Sequence, residues 1–340
     1  MTKAGLALSR EQILAFRRRV GALDARLPWS GDSLRTAAWA GLQDSMPRAA
    51  LLSIHARVAN TRPDALDDPS LAQVWGPRFS LFVVAERDAP IFTLGRYPSD
   101  ARGRRVADGA AALIQKAVGD GRIAYGHAGA ELGVPPNSLR YGTTTGMVRL
   151  RWEGARAPKI WVVPRPEITA QEAQLELARR YLHVYGPTTA AAFSKWAGIG
   201  SADGPRAFDD LGSEIVPVTT PVGDASILAA DEGGFRDVAR APAKARLLPS
   251  GDSFWLYHGR DRDLLVPDPK RRDELWTSRV WPGALLVDGE VVGTWRRATQ
   301  NLPVHAWRRL TREERAEVEV EATSLPLPGL PGPILVRWET

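Results

Sequence analysis

The chain reads as an α+β protein: three winged-helix units in tandem, then a β-rich tail forming a small barrel or sheet. Two observations carry this expectation. The order helix–helix–helix–hairpin recurs over residues 1–100, 101–168 and 169–240, as shared architecture rather than shared letters. From about Ala241, over 241–340, the texture changes to short apolar runs separated by turn residues.

In the first unit, Ser9-Arg10-Glu11-Gln12 is a capping box opening a helix with Ile13, Leu14, Phe16 and Val20 facing inward. Helices are expected over Asp32–Ala40, Pro47–Val58 and Ser70–Val74. Strands follow over Phe79–Ala85 and Pro90–Leu94, around Glu86-Arg87-Asp88. The second unit places helices at Ala110–Val118, Ala128–Leu132 and Pro136–Tyr141. Its hairpin, Met147–Trp152 with Lys159–Val163, turns at Gly154. Thr169-Ala170-Gln171-Glu172 is a second capping box, starting a helix to Val184. Gly186 through Trp196 and Gly204–Leu211 supply the next helices, and Glu214–Val218 with Ala225–Ala229 the third hairpin. In the tail, strands are expected at Phe254–His258, Ala284–Val287, Val291–Trp295, Arg315–Ala322 and Ile334–Trp338. Asp288-Gly289 is a two-residue hairpin turn, and the Pro/Gly-rich Leu325–Pro333 is a loop.

Bulk properties narrow the function. The 340 residues carry a net charge of +6, and nearly all the cations are Arg. Arg forms bidentate contacts to phosphate and enters narrow minor grooves, so the balance favours a polyanionic partner. A GC-rich coding composition enriches Arg as well. The absence of cysteine excludes disulfides and thiolate metal sites. The N-terminal MTKAGLALSREQ lacks a signal-peptide core, and no run approaches the ~20 apolar residues of a membrane span. A cytoplasmic protein is expected, without membrane contact and, lacking a long zipper, monomeric.

Gly41-Leu42-Gln43-Asp44-Ser45-Met46-Pro47-Arg48 is the most informative stretch. Pro47 suits a first helical position, leaving Gln43-Asp44-Ser45 as a short extended elbow. Side chains two apart then point the same way, so Gln43 and Ser45 share a surface while Asp44 faces elsewhere. Such a neutral pair can hold a water or a sugar–phosphate edge. The alternative is structural: Gln43 packs in a polar crevice and Asp44 or Ser45 caps the helix.

No Walker A loop, GxGxxG after a strand, or HExxH occurs, and the five histidines lie far apart. No metal or cofactor is expected. His55 and His183 read as packing residues, whereas His127 and His258 could line a cleft. The second unit fits a DNA-reading helix best, with Arg140, Thr143 and Thr144 at its end and Arg149, Arg151, Arg156 and Lys159 on its wing. Arg78, Arg102, Arg104 and Arg105 add positive charge. Strand alternation puts Trp295 and Arg297 on one face and Arg296 on the other; Trp295 either stacks on a base or fills an interface.

Together these segments resemble the AlkZ/YcaQ-like winged-helix DNA glycosylases. The resemblance rests on the Gly41–Arg48 stretch, Val74-Trp75-Gly76-Pro77-Arg78, Tyr185-Gly186-Pro187 with Phe193 and Trp196, and above all Leu285 through Arg297. It implies tandem winged helices curved around double-stranded DNA, completed by a barrel, and hydrolysis of the glycosidic bond of alkylated or crosslinked purines such as N7-substituted guanine. The family's motif is Gln-x-Gln or Gln-x-Asp. Gln43 falls on its first position, but Ser45 occupies the second. The family's Thr-Leu-His is here Ser80-Leu81-Phe82. The resemblance implies catalysis by Gln43 with Ser45 assisting, and DNA contacts from Arg48, Arg78, Arg140, Thr143, Thr144, Arg149, Arg151, Trp295, Arg296 and Arg297. A non-catalytic DNA-damage binder or transcription regulator is the alternative.

Overall fold

The computed structural model describes residues 6–152, 157–237, 244–297, 299–327, 329 and 332–339. Helices and strands are interspersed along the chain, and three sheets organise it. The largest has six strands in the order Leu42–Gln43, Leu81–Ala85, Leu71–Trp75, Val148–Arg151, Lys159–Val162, Ile123–Ala124. The first two hairpins thus belong to one sheet, joined where Gln73 pairs antiparallel with Leu150. The third hairpin, Ile215–Thr220 with Gly223–Leu228, gains a parallel edge from the short strand Leu6–Ala7.

The first hairpin corrects the sequence expectation. Ser70–Val74, read as a helix, is the strand Leu71–Trp75, and Pro90–Leu94, read as a strand, lies in the helix Ala89–Thr93. All five side chains of Leu71–Trp75 are buried, so the two-residue alternation that marks a half-exposed strand is absent. Pro90 sits in the first turn of its helix, where its missing N–H is no loss. The helix after the elbow begins at Ala49 rather than Pro47. The helix expected over Ala110–Val118 starts earlier, at Ala101, behind the Asp100 cap.

The tail forms an open sheet, and among the described residues no barrel closes. Its strands run in the order Ala245–Leu248, Gly283–Val287, Glu290–Trp295, Asn301–Ala306, Leu335–Glu339, with only the last pair parallel. The helix Arg312–Thr323 packs against both edge strands where a barrel would join them. Arg315–Ala322, expected as a strand, carries the alternating run Arg-Ala-Glu-Val-Glu-Val-Glu-Ala. The Thr311–Glu314 capping box instead starts a helix, which buries Val318 and Ala322 four apart and leaves Val320 in solvent. Phe254–His258, expected as a strand, is an irregular segment whose first four side chains are buried. The turn at Gly154, with Arg156, and the boundary at Ala241 lie outside the described residues.

The main core joins these parts. Tyr181, Tyr185, Phe193, Trp196 and Tyr257 stack there, drawn from the helices Ala170–Tyr185 and Ala190–Ala197 and from the buried segment before His258. Aromatic contacts of this kind add about 0.5–1.5 kcal/mol per pair beyond burial. They fix the backbone on which the candidate site rests.

Candidate active site

The elbow is built by strand pairing on one side and a helix start on the other. Leu42 and Gln43 pair with Val83 and Phe82, and the Asp44 amide donates to the Leu81 carbonyl at 2.8 Å. Gly41 enters at φ +74°, and a Cβ there would meet the Phe92 ring at 2.9 Å. Alternation then holds: Gln43 is half-buried, Asp44 buried and Ser45 exposed. Gln43 Nε2 donates to Ser45 Oγ at 3.2 Å, so the two do share a surface. Of the two residues offered as a helix cap, Asp44 and not Ser45 takes that place. Asp44 Oδ1 accepts the Ala50 amide at 3.0 Å, one of the unpaired donors of the helix start. Burial pushes its carboxyl up to about 7.

Arg78 fixes the amide. Its Nη2 donates to Gln43 Oε1 at 3.1 Å, while Nη1 reaches the Trp196 carbonyl at 2.9 Å and His258 Nε2 at 3.2 Å. A guanidinium only donates, so the Gln43 oxygen must face Arg78 and the amide nitrogen must face Ser45. Ser45 spends one lone pair on Gln43 and keeps its O–H and a second lone pair. Burial, then the cations Arg78, Arg262 and Lys195, push His258 down to about 3, so the ring is neutral and accepts from Arg78. Burial likewise lowers Arg78, which has no carboxylate partner among the described residues.

A second wall holds Gln43 in place. Gly251, at φ +76°, lies so close that a Cβ there would sit 3.3 Å from Gln43 Cδ. The next residue, Asp252, takes both arms of Arg57 at 2.7 and 2.8 Å and accepts Ser53 Oγ at 2.6 Å. All three side chains are buried. This bracket ties the helix Ala49–Arg57 to the segment backing Gln43. Sequence reasoning missed Arg57, Gly251 and Asp252, which meet across nearly 200 residues; Gly251-Asp252 looks locally like an ordinary turn.

The remaining expected residues divide by exposure. Arg48, Arg296 and Arg297 are exposed. Burial, then the Arg48 charge, lowers the Arg297 pKa. A cavity of about 330 Å³ adjoins the elbow, lined by Met46, Pro47, Trp281, Arg296 and Arg297 among others and, among the described residues, by no acidic side chain. Trp295 is buried and donates to the Leu248 carbonyl at 3.0 Å, so it fills an interface rather than offering a face for stacking. Thr143 and Thr144 lie inside, and their hydroxyls donate to the Trp75 and Tyr141 carbonyls. Arg149 is buried beside Glu86, and Arg151 pairs with Asp67. Arg140 is half-buried near the rings of Trp75 and Tyr125. The residues expected to read DNA in 101–168 therefore serve largely to hold that segment to 1–100, through Trp75, Glu86 and Asp67, while Arg48, Arg296 and Arg297 stand exposed beside the elbow and on the tail sheet. Among the described residues no cluster of metal-ligating side chains occurs, and no helix is long and apolar enough to cross a membrane.

Comparison with known proteins agrees with this architecture. The solved Streptomyces sahachiroi DNA glycosylase AlkZ superposes with a TM-score of 0.79, covering 98% of this chain and 100% of that one, at 18% identity, a likeness of fold. An interstrand DNA cross-link repair glycosylase of Streptomyces sahachiroi is 31% identical over 165 residues; the aligned stretch spans 47% of this chain and 43% of that relative. The profile of the family described as DNA glycosylase AlkZ-like matches residues 36–326, a span holding the elbow, Arg78, the Asp252 bracket and the first four strands of the tail sheet. The chain belongs to the AlkZ-like DNA glycosylase family.

Proposed function

We propose that this chain is a monofunctional DNA glycosylase acting as a monomer on double-stranded DNA. Its reaction is hydrolysis of the N-glycosidic bond of alkylated or crosslinked purines, N7-substituted guanine in particular, without a cofactor. In this reading residues 1–100, 101–168 and 169–240 are winged-helix units facing the duplex, with 241–340 completing the concave surface in the cytoplasm, at the nucleoid. The observation that carries it is the uncharged Gln43–Ser45 pair, pinned by Arg78 and flanked by Arg48, Arg296 and Arg297. The match to a cross-link repair glycosylase supports the substrate class.

The chemistry suits the residues. An N7-alkylated guanine is cationic and leaves readily, so the demanding task is delivering water to C1′ of an oxocarbenium-like sugar. The free lone pair and O–H of Ser45, with the second lone pair of Gln43 Oε1, can orient that water. Neither group is a strong base, and a general base is typically worth ~100- to 10,000-fold. A slow hydrolase is therefore expected. Among the described residues no lysine hydrogen-bonds to the elbow or lines the cavity beside it, which disfavours a β-elimination step through an amine.

A duplex crosslinked through N7 of guanine tests the reading: enzyme in excess should unhook it, leaving an intact abasic strand. Persistent crosslinks together with salt-sensitive binding that Gln43→Ala leaves unchanged would favour the non-catalytic binder, which the uncharged Ser45 supports.

A further inference from the structure

Behind Arg78 lies a second cavity, of about 550 Å³, lined by Phe79, Arg96, Arg102, Val106, Tyr141 and Gly198 among others. It adjoins the elbow through the backbone: Arg78 holds Gln43, and the next residue, Phe79, walls the cavity. Both residues take the left-handed conformation, at φ 55° and 56°, a costly choice for two successive residues with side chains. Gly198, itself at φ +70°, packs so closely that a Cβ there would touch the Arg78 backbone at 2.9 Å.

The cavity wall is an aromatic ladder over a buried cation. The Arg96 guanidinium lies 4.5 Å from the Phe79 ring centroid, and Phe79 meets Tyr141 edge-on at 5.0 Å. Arg96 is buried, donates to the Ala197 and Trp75 carbonyls, and leaves Nη2 without a partner. Leaving a buried donor unpaired is costly, and no carboxylate offsets the charge among the described residues. At the mouth, Tyr141 and Val106 are each 45% exposed, far more than apolar packing requires. Arg102 and Arg105 stand exposed on the first turns of the helix Ala101–Val118, forming no ion pair among the described residues.

A flat ring carrying carbonyl or ring-nitrogen acceptors, flanked by phosphates, matches this combination. Resting on the reading of the elbow as a DNA-processing site, we infer that the Phe79–Tyr141 cavity receives a nucleobase displaced from the stack beside the reacting nucleotide, with its flanking phosphates on Arg102 and Arg105. Base–aromatic stacking is sequence-tolerant and supports binding of any unstacked base.

Two duplexes test this, identical except that one 2-aminopurine is either paired or left as a single-base bulge. The bulged duplex should bind more tightly and lose 2-aminopurine emission on binding. Tyr141→Ala should reduce the ratio of bulged to paired affinity about tenfold. Tyr141→Phe should preserve that ratio, because stacking needs the ring and not the hydroxyl. An unchanged ratio and unchanged quenching in Tyr141→Ala, with paired duplex bound and bases still released, would overturn this assignment alone. Failure to bind any duplex would overturn the functional reading and the pocket with it. Self-association lost in Tyr141→Ala with the base preference intact would assign the patch to a second copy of the chain.

Discussion

Asp44 shows how one buried side chain can be decoupled from the surface beside it. It points away from Gln43 and Ser45 and spends its oxygen on the Ala50 amide. Burial raises its folded pKa from 3.8 to about 7, so between those values the folded chain binds a proton that the unfolded chain has released. The stability this contributes is full below about pH 4 and is lost as pH rises through about 7. Denaturant titrations across that window should show stability falling with pH, and Asp44→Asn should flatten the slope. Ser45→Asp makes a different test: a carboxylate on the exposed side of the elbow can accept the water's proton and should raise base release about 100-fold. An unchanged rate would mean that proton removal does not limit the reaction. The sequence made this part of the site legible, because the two-residue spacing of an extended segment sorts Gln43, Asp44 and Ser45 by itself. It could not show that Arg78 would be held by Gln43, Trp196 and His258 instead of lying free for phosphate, since those partners lie up to 180 residues away.

At the scale of elements, the site depends on the helix Ala49–Arg57 and the segment from Pro249 to His258 remaining clamped together. The Arg57–Asp252 pair is fully buried, and removing one partner strands the other charge. Asp252→Ala should therefore cost about 3–5 kcal/mol in chemical denaturation. Gly251→Ala should cost less in stability yet slow base release, because it strains a left-handed residue and presses on Gln43 Cδ. Equal losses of stability in the two variants would contradict that division. Local signals located most elements. The capping boxes expected at Ser9 and Thr169 are both formed, and the Asp288-Gly289 turn joins the strands expected around it. Failures occurred where burial removed the pattern, as in Leu71–Trp75, or where alternating charge imitated a strand, as in Arg312–Thr323.

For the whole molecule, the recurring helix–hairpin order was readable, but the way the hairpins combine was not. The Gln73–Leu150 pairing that merges two of them joins positions 77 residues apart, and nothing local encodes it. The same holds for the tail, where a helix covers the gap between edge strands. The exposed cations at the elbow and tail sheet predict DNA binding that weakens steeply with salt, log K falling by about 0.9 for each phosphate contact per decade of salt. Arg297→Gln should shallow that slope by roughly one contact, measured by fluorescence anisotropy between low and physiological salt. The most direct measurement of the central claim is single-turnover release of N7-methylguanine from methylated duplex by the native chain and by Gln43→Ala. Slow release of free base with strands left unbroken, and a large fall in rate when Gln43 is truncated, is the predicted result. Intact glycosidic bonds after long incubation with excess enzyme, or equal rates for the two proteins, would contradict it.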